Sequence, residues 1–331
     1  MKKKWLLIIC AILFFIFPFI IHNNYFVHIM IMAGINVILV LSLNLISGFV
    51  GQISLGHAAF FGIGAYASAL LALRGVPVWL SMAASIPVAA VFGVLVGYPV
   101  LRLRGHFFAI ATLGFGEIVH LVLNNWIDLT HGPMGLSGIP RPEKIFVLDF
   151  SSKIHYYIMI LFFVIVTIYF SQRLINSKVG RALVAIRTDE VTATAMGVDV
   201  TYYKMLAFTW SAALAGFAGA NYAHFVLFLS PETFKLAGSI NILLMLLIGG
   251  IGSISGAVIG GLFITVLSEY LRAFAEYQMF IYGVLIVVVV VFAPKGLSGL
   301  IVDVARKVNL TGAKKDHKEG AKTHEPANTA D

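Results

Sequence analysis

Apolar residues run along this chain in long blocks rather than in alternation. Between Trp5 and Leu73 there are 69 consecutive residues without an Asp, Glu, Lys or Arg, and from Leu236 to Ser268 there are 33 more. A helix that crosses a bilayer needs roughly 20 mostly apolar residues, since each advances it only about 1.5 Å. Ten blocks read as spans, at about 5–22, 26–47, 52–73, 78–100, 106–123, 154–172, 204–228, 237–250, 254–273 and 277–293. The pattern therefore predicts an all-α, polytopic membrane helix bundle of about ten transmembrane helices. The first block follows Lys2, Lys3 and Lys4 and has neither the short core nor the small-x-small site of a cleaved signal, so it reads as an uncleaved anchor. Block 237–250 is short and ends in Gly, which leaves a re-entrant hairpin with the next block as the alternative.

Two stretches fall outside this pattern. The segment 124–153 carries Gly132, Pro133, Gly135, Gly138, Pro140 and Pro142 and reads as a long external loop. The tail 309–331 is rich in Lys, Glu, Ala and Thr without apolar periodicity and is expected to be disordered, leaving 1–308 as the membrane domain.

Composition narrows the class. The chain is 60% hydrophobic and 11% charged, against about 45–50% and about 25% for soluble domains. The single Cys10 forms no internal disulfide. A net charge of +8 raises nucleic-acid binding, but the basic residues lie at the two ends and in a few loops, not in a stripe with aromatics between. With the N-terminus inside, ten alternating spans place 17 of the 23 Lys and Arg in inside segments and six outside, as the positive-inside rule requires. Both termini are then cytoplasmic.

Two membrane segments are unusually rich in small residues: SGFVGQISLGHAAFFGIGAYASAL at 47–70 and IGGIGSISGAVIGG at 248–261. One reading is close helix packing. The other is a broken helix, tolerated at depth only where protein or water satisfies the freed backbone, and hence a place for a solute pathway. On that reading Gln52, Ser54, Gly56, His57, Gly249, Gly250 and Gly252 are pathway candidates, with Thr112 and Glu117 from block 106–123. Glu117 and His120 are three apart and form a relay, a structural pair or a wet helix end. Glu269 and Arg272 have the same spacing and are expected to pair. No group has metal-ligand spacing, so no metal is expected.

The loop 173–203 has its own logic. Val179, Leu183 and Ile186 form the stripe of an amphipathic helix. Thr188 then fits an N-cap, with Asp189 and Glu190 in the next first turn and Gly197 as the stop. A two-turn helix is marginal by itself, so either a partner's groove or the chain's own inner face holds it. No Lys anywhere follows a Gly, so the phosphate-cradling G-x-x-x-x-G-K-[ST] loop is absent. ATP, if it drives this protein, is hydrolysed on another polypeptide.

These stretches, in order, resemble the permease subunits of branched-chain amino-acid ABC importers, of the M type. The residues that carry the resemblance are SLNLISGFVGQISLGHAAFFGIGAY at 42–66, LRLRGHFFAIATLGFGEI at 101–118, T-x-G-x-x-G-L-x-G-I-P at 130–140, GRALVAIRTDE at 180–190, AMG at 195–197, SPETF at 230–234, GGIGSISG at 249–256 and FAPKGL at 292–297. The resemblance implies a transport subunit of the bacterial inner membrane, not an enzyme, with no cofactor of its own. Its partners would be a second homologous permease of the H type, two ATPases that carry ATP and Mg²⁺, and a periplasmic binding protein that delivers Leu, Ile or Val. It also implies that Val179, Gly180, Arg181, Leu183, Ile186, Arg187, Asp189, Glu190 and Gly197 belong to the element that docks on the ATPase. That element is similar to the EAA loop of other importers, with Glu190, Ala193 and Gly197 as counterparts. Urea, short amides or other amino acids stay open as cargo, as does an ion-coupled carrier that uses Glu117 and His120.

Overall fold

The computed structural model describes residues 23–103, 105–144, 149–292 and 296–299. The expected first span 5–22 and the tail 309–331 lie outside the described residues. The rest is an all-helical membrane bundle. Its helices are α1 (Asn24–Leu43, continued by a π-helical stretch Asn44–Val50), α2 (His57–Leu73), α3 (Val78–Val100), α4 (His106–Asn125), the single turn α5 (Ile127–Thr130) and α6 (Lys153–Ile175). Then come α7 (Lys178–Thr188), α8 (Glu190–Ala195), α9 (Val200–Val226), α10 (Leu236–Gly249), α11 (Ile254–Leu271) and α12 (Gln278–Phe292). Leu136–Ser137 and Phe228–Leu229 add one antiparallel two-residue pairing.

Five of the described helices are long and apolar enough to cross a membrane: α1 with its π extension, α3, α4, α6 and α11; α2, α10 and α12 are apolar but shorter. Nine of the ten expected blocks thus coincide with described helices. Burial separates them. The most apolar window of α1 is 83% buried, whereas those of α3, α4 and α6 are 33%, 22% and 33% buried. A helix that is apolar all round belongs in a core, and α1 fills that place, against α11, α6 and α9. α3, α4 and α6 turn Leu95, Ile118 and Phe162 outward, as lipid-facing helices do.

α9 is the second core helix. It packs on α2 and α3 through Ala207, Ala212, Ala215, Gly216, Ala218 and Ala220. A Cβ on Gly64 of α2 would overlap the backbone of Gly216, so small residues set this crossing, as expected where helices associate by close backbone approach. The first core helix is made of branched aliphatics, the second of alanine and glycine.

Candidate functional site

Both Gly-rich segments break, and the breaks meet at one end of the bundle. α1 widens into its π turn at Asn44 and leaves it at Gly51, whose φ of 83° is left-handed. Residues 51–56 are not helical, so the helix expected from 52 begins only at His57. Tertiary contact is the reason: the backbone N–H groups freed by the break are taken by side chains of other elements. Leu55 N donates to Thr112 Oγ1 (3.1 Å), Ser54 N to Ser47 Oγ (3.2 Å) and Ala58 N to Ser239 Oγ (3.0 Å). Gly56 lies so close to α4 that a Cβ would overlap the carbonyl oxygen of Thr112.

The second break, 250–253, separates α10 from α11. Gly249 packs on the carbonyl of Gly256, and Gly252 has a φ of 76°. Asn44, from the π turn, clamps this loop: its Oδ1 accepts from Gly252 N (2.9 Å) and its Nδ2 donates to Ser253 O (3.2 Å). Ser253 Oγ accepts from Gly256 N (3.1 Å) and caps α11.

Three buried polar atoms in the first break have no hydrogen-bond partner among the described residues: Nε2 and Oε1 of Gln52 and Oγ of Ser54. Buried polar atoms are nearly always paired, and each exception asks for a physical explanation. His57 differs. Its Nε2 lies 2.7 Å from Ser42 Oγ, and that hydroxyl donates to Leu39 O (2.6 Å), so the imidazole N–H is the donor to Ser42. His120 donates through Nδ1 to Pro231 O (3.2 Å), and no hydrogen bond or ion pair joins it to Glu117 among the described residues. Glu269 and Arg272 pair at 3.3 Å, as their spacing predicts.

α7 and α8 lie across the same end. Ser177 Oγ caps α7, accepting from Val179 N (3.1 Å) and Gly180 N (3.4 Å). Gly180 packs on the carbonyl of Ile175, and Leu183 and Ile186 are buried in this chain's own core. The stripe expected to meet a partner is thus covered by the bundle itself, with Val179 half-buried beside it. Arg187 donates from Nη1 to the carbonyl of Gly48, and its side chain runs over Gly51 and Gly252. One arginine therefore touches both breaks.

Thr188 is not the N-cap. It closes α7, and Asp189, with extended backbone, caps α8 by accepting from Thr192 N (2.7 Å). The reason is chemical: a carboxylate accepts this N–H more strongly than a hydroxyl does. The same bond holds the Asp189 carboxyl below the usual carboxylate range. Glu190 pairs with Lys204, whose side chain is buried at the start of α9, and Ala193 is buried beneath α8. Gly197, at φ 82°, follows the end of α8 as expected. The chain itself holds the two-turn helix. Among the residues it leaves exposed are Arg181 and Asp189, together with a second apolar set, Val184, Val191 and Met196. That set was missed in the sequence because it lies off the 3–4 spacing of the main stripe. Asn44 was missed as well, although it is the lone amide in the apolar run LSLNLIS.

Helices broken at depth and rejoined by side chains, with a surface unit tied to both breaks, are an arrangement that membrane transporters use. The family model for branched-chain amino acid transport system permease components matches residues 25–290, and the chain belongs to that family. It is 37% identical over 320 residues to the high-affinity branched-chain amino acid transport system permease protein LivM of Salmonella typhimurium, covering 89% of this chain and 75% of that one. The LivM protein of Escherichia coli is 36% identical over the same shares. The LivH permease of Escherichia coli is 26% identical over 276 residues, 77% of this chain and 88% of its own. No solved structure matches.

Proposed function

We propose that the chain is the M-type translocation subunit of an ABC importer for leucine, isoleucine and valine in a bacterial inner membrane. It sits beside an H-type permease, receives cargo from a periplasmic binding protein and is driven by two separate ATPase subunits. The relatives' transport system and the absence of a phosphate-cradling loop in this sequence support that division of labour. On this reading there are about ten spans with both termini cytoplasmic, and the α7–α8 end faces the cytoplasm.

The observation that carries the coupling role is the two-faced α7–α8 unit. Its inner face is packed into the bundle and bonded to the π turn through Arg187. Its outer face presents Val184, Val191 and Met196, the last two 70% and 79% exposed. Displacement of this unit by an ATPase pulls on Gly48 and on the Gly252 loop together, so the two breaks shift as a pair. Docking by the ATPase dimer must favour one of two bundle states for this to do work. The unpaired Gln52 and Ser54 belong to the segment that moves, which supports a change of partners, solute or water, between states.

Val191→Asp tests the reading, because that side chain touches solvent and its loss does not disturb the bundle. In proteoliposomes containing the complete transporter, ATP-driven leucine uptake should fall at least tenfold at unchanged protein abundance, with ATP hydrolysis no longer stimulated by loaded binding protein. Uptake at the wild-type rate refutes the docking role. Uptake by this chain without any ATPase refutes the importer reading as a whole.

A further inference from the structure

A cavity of about 220 Å³ opens at the opposite end of the bundle, between the first turns of α1 and α6 and the last turn of α9. Arg141, Lys153 and His28 line it, and no acidic residue is among the described residues that line it. Of the acids at this end, Asp149 pairs with Lys144 (2.9 Å), and Glu269 with Arg272 and with the hydroxyl of Tyr25 (2.7 Å), while Glu143 is exposed and does not line the cavity. Arg141 Nη1 donates to Ser151 O (2.7 Å), and Lys153 Nζ stands 3.5 Å from Asn24 O. A carbonyl occupies one donor of each and neutralises no charge. The cap residue of α6, Ser152, makes no side-chain capping bond. Its first-turn N–H groups and the positive end of its dipole add to the two cations.

The remaining walls have complementary chemistry. Phe150 and Phe225 supply an apolar surface. The last turn of α9 is closed at Leu227 with φ 65°, whose N–H takes the Ala223 carbonyl (2.9 Å), which leaves the carbonyls of His224, Phe225 and Val226 beyond the helical ladder. Net positive charge, a carbonyl rim and an aromatic wall in one concavity match a zwitterion with an apolar side chain. The volume is below the roughly 300–1,000 Å³ of pockets for drug-sized ligands, which suits a single amino acid.

We propose that this cavity is an outer binding site for a free apolar α-amino acid, with its carboxylate held by Arg141 and Lys153 and its ammonium by the carbonyls at the end of α9. The assignment rests on the import reading above for the side of the membrane and the class of cargo.

The test uses the complete transporter purified without its binding protein, with labelled leucine in equilibrium dialysis. Wild type should bind leucine saturably. Arg141→Gln and Lys153→Gln, both changes near the surface, should each weaken binding about tenfold through loss of one charge-assisted contact. Leucinamide, which lacks the carboxylate, should fail to compete. Wild-type affinity in both variants, or equal competition by leucinamide, overturns the site. So does phosphatidylglycerol that co-purifies with wild type, is lost from both variants and is not displaced by leucine, since the cations would then hold a lipid phosphate. ATP-driven uptake by the same preparation with binding protein restored is the separate readout. Its absence defeats the import reading, whereas intact uptake with unaltered leucine binding in the variants defeats the cavity alone.

Discussion

The two broken segments, 51–56 (GQISLG) and 250–253 (GIGS), both open on glycine and differ in hydrogen-bond chemistry. In the second, the loop is closed: Gly252 N–H, Ser253 O and Ser253 Oγ all have partners, two of them on one asparagine. In the first, the backbone is served by Ser47, Thr112 and Ser239, but Gln52 and Ser54 keep three buried polar atoms unpaired. A buried polar atom without a partner costs about 1–3 kcal/mol, while a net hydrogen bond contributes only about 1. The second break is therefore a joint built for stability. The first carries a standing cost that stability does not explain, and the moving, solute-contacting role proposed above would account for it.

Three substitutions test that contrast. The largest effect is expected from Gly56→Leu, because the new side chain must displace the Thr112 backbone on α4. ATP-driven uptake should be abolished, together with most of the assembled complex recovered on size exclusion; normal assembly and uptake would mean that α2 and α4 do not need their close contact. Asn44→Leu comes next. It keeps the volume but leaves Gly252 N–H and Ser253 O without partners, a loss on the order of 2–3 kcal/mol. The melting temperature of the purified permease should fall by several degrees, and an unchanged value would show that the second break is not held by the clamp. Gln52→Met is the smallest in stability and the most informative. Nothing among the described residues pairs with this amide, so the melting point should hold or rise, while uptake drops several-fold. A lower melting point with normal uptake would reverse the roles assigned to the two breaks.

The spans were legible because a bilayer imposes length and apolarity on any helix that crosses it, and nine expected blocks coincide with described helices. The breaks were legible as Gly-rich stretches in the same blocks. Their chemistry was not. Asn44 and Gly252 are 208 residues apart, and no local pattern links them. The α7 stripe shows where a limit arises: Val179, Leu183 and Ile186 define an apolar face, but periodicity says only that the face is covered, not by which surface. The answer was this chain's own core, and the exposed set is Val184, Val191 and Met196. Thr188 and Asp189 are adjacent residues that both suit a cap, and the choice fell to the one whose charge best accepts the Thr192 amide.

The order of apolar blocks, the positions of Gly and the bias of Lys and Arg determined the class of this protein, because the membrane acts as a solvent on each segment separately. Hydropathy alone did not separate the helices that face lipid from α1, which does not. Nor did it reveal that Arg187 joins two distant breaks, or that Arg141 and Lys153 gather at an aromatic cavity whose described lining holds no acid. Those facts depend on which segments are neighbours, and neighbourhood in a helix bundle is decided by side-chain packing between segments far apart in the chain.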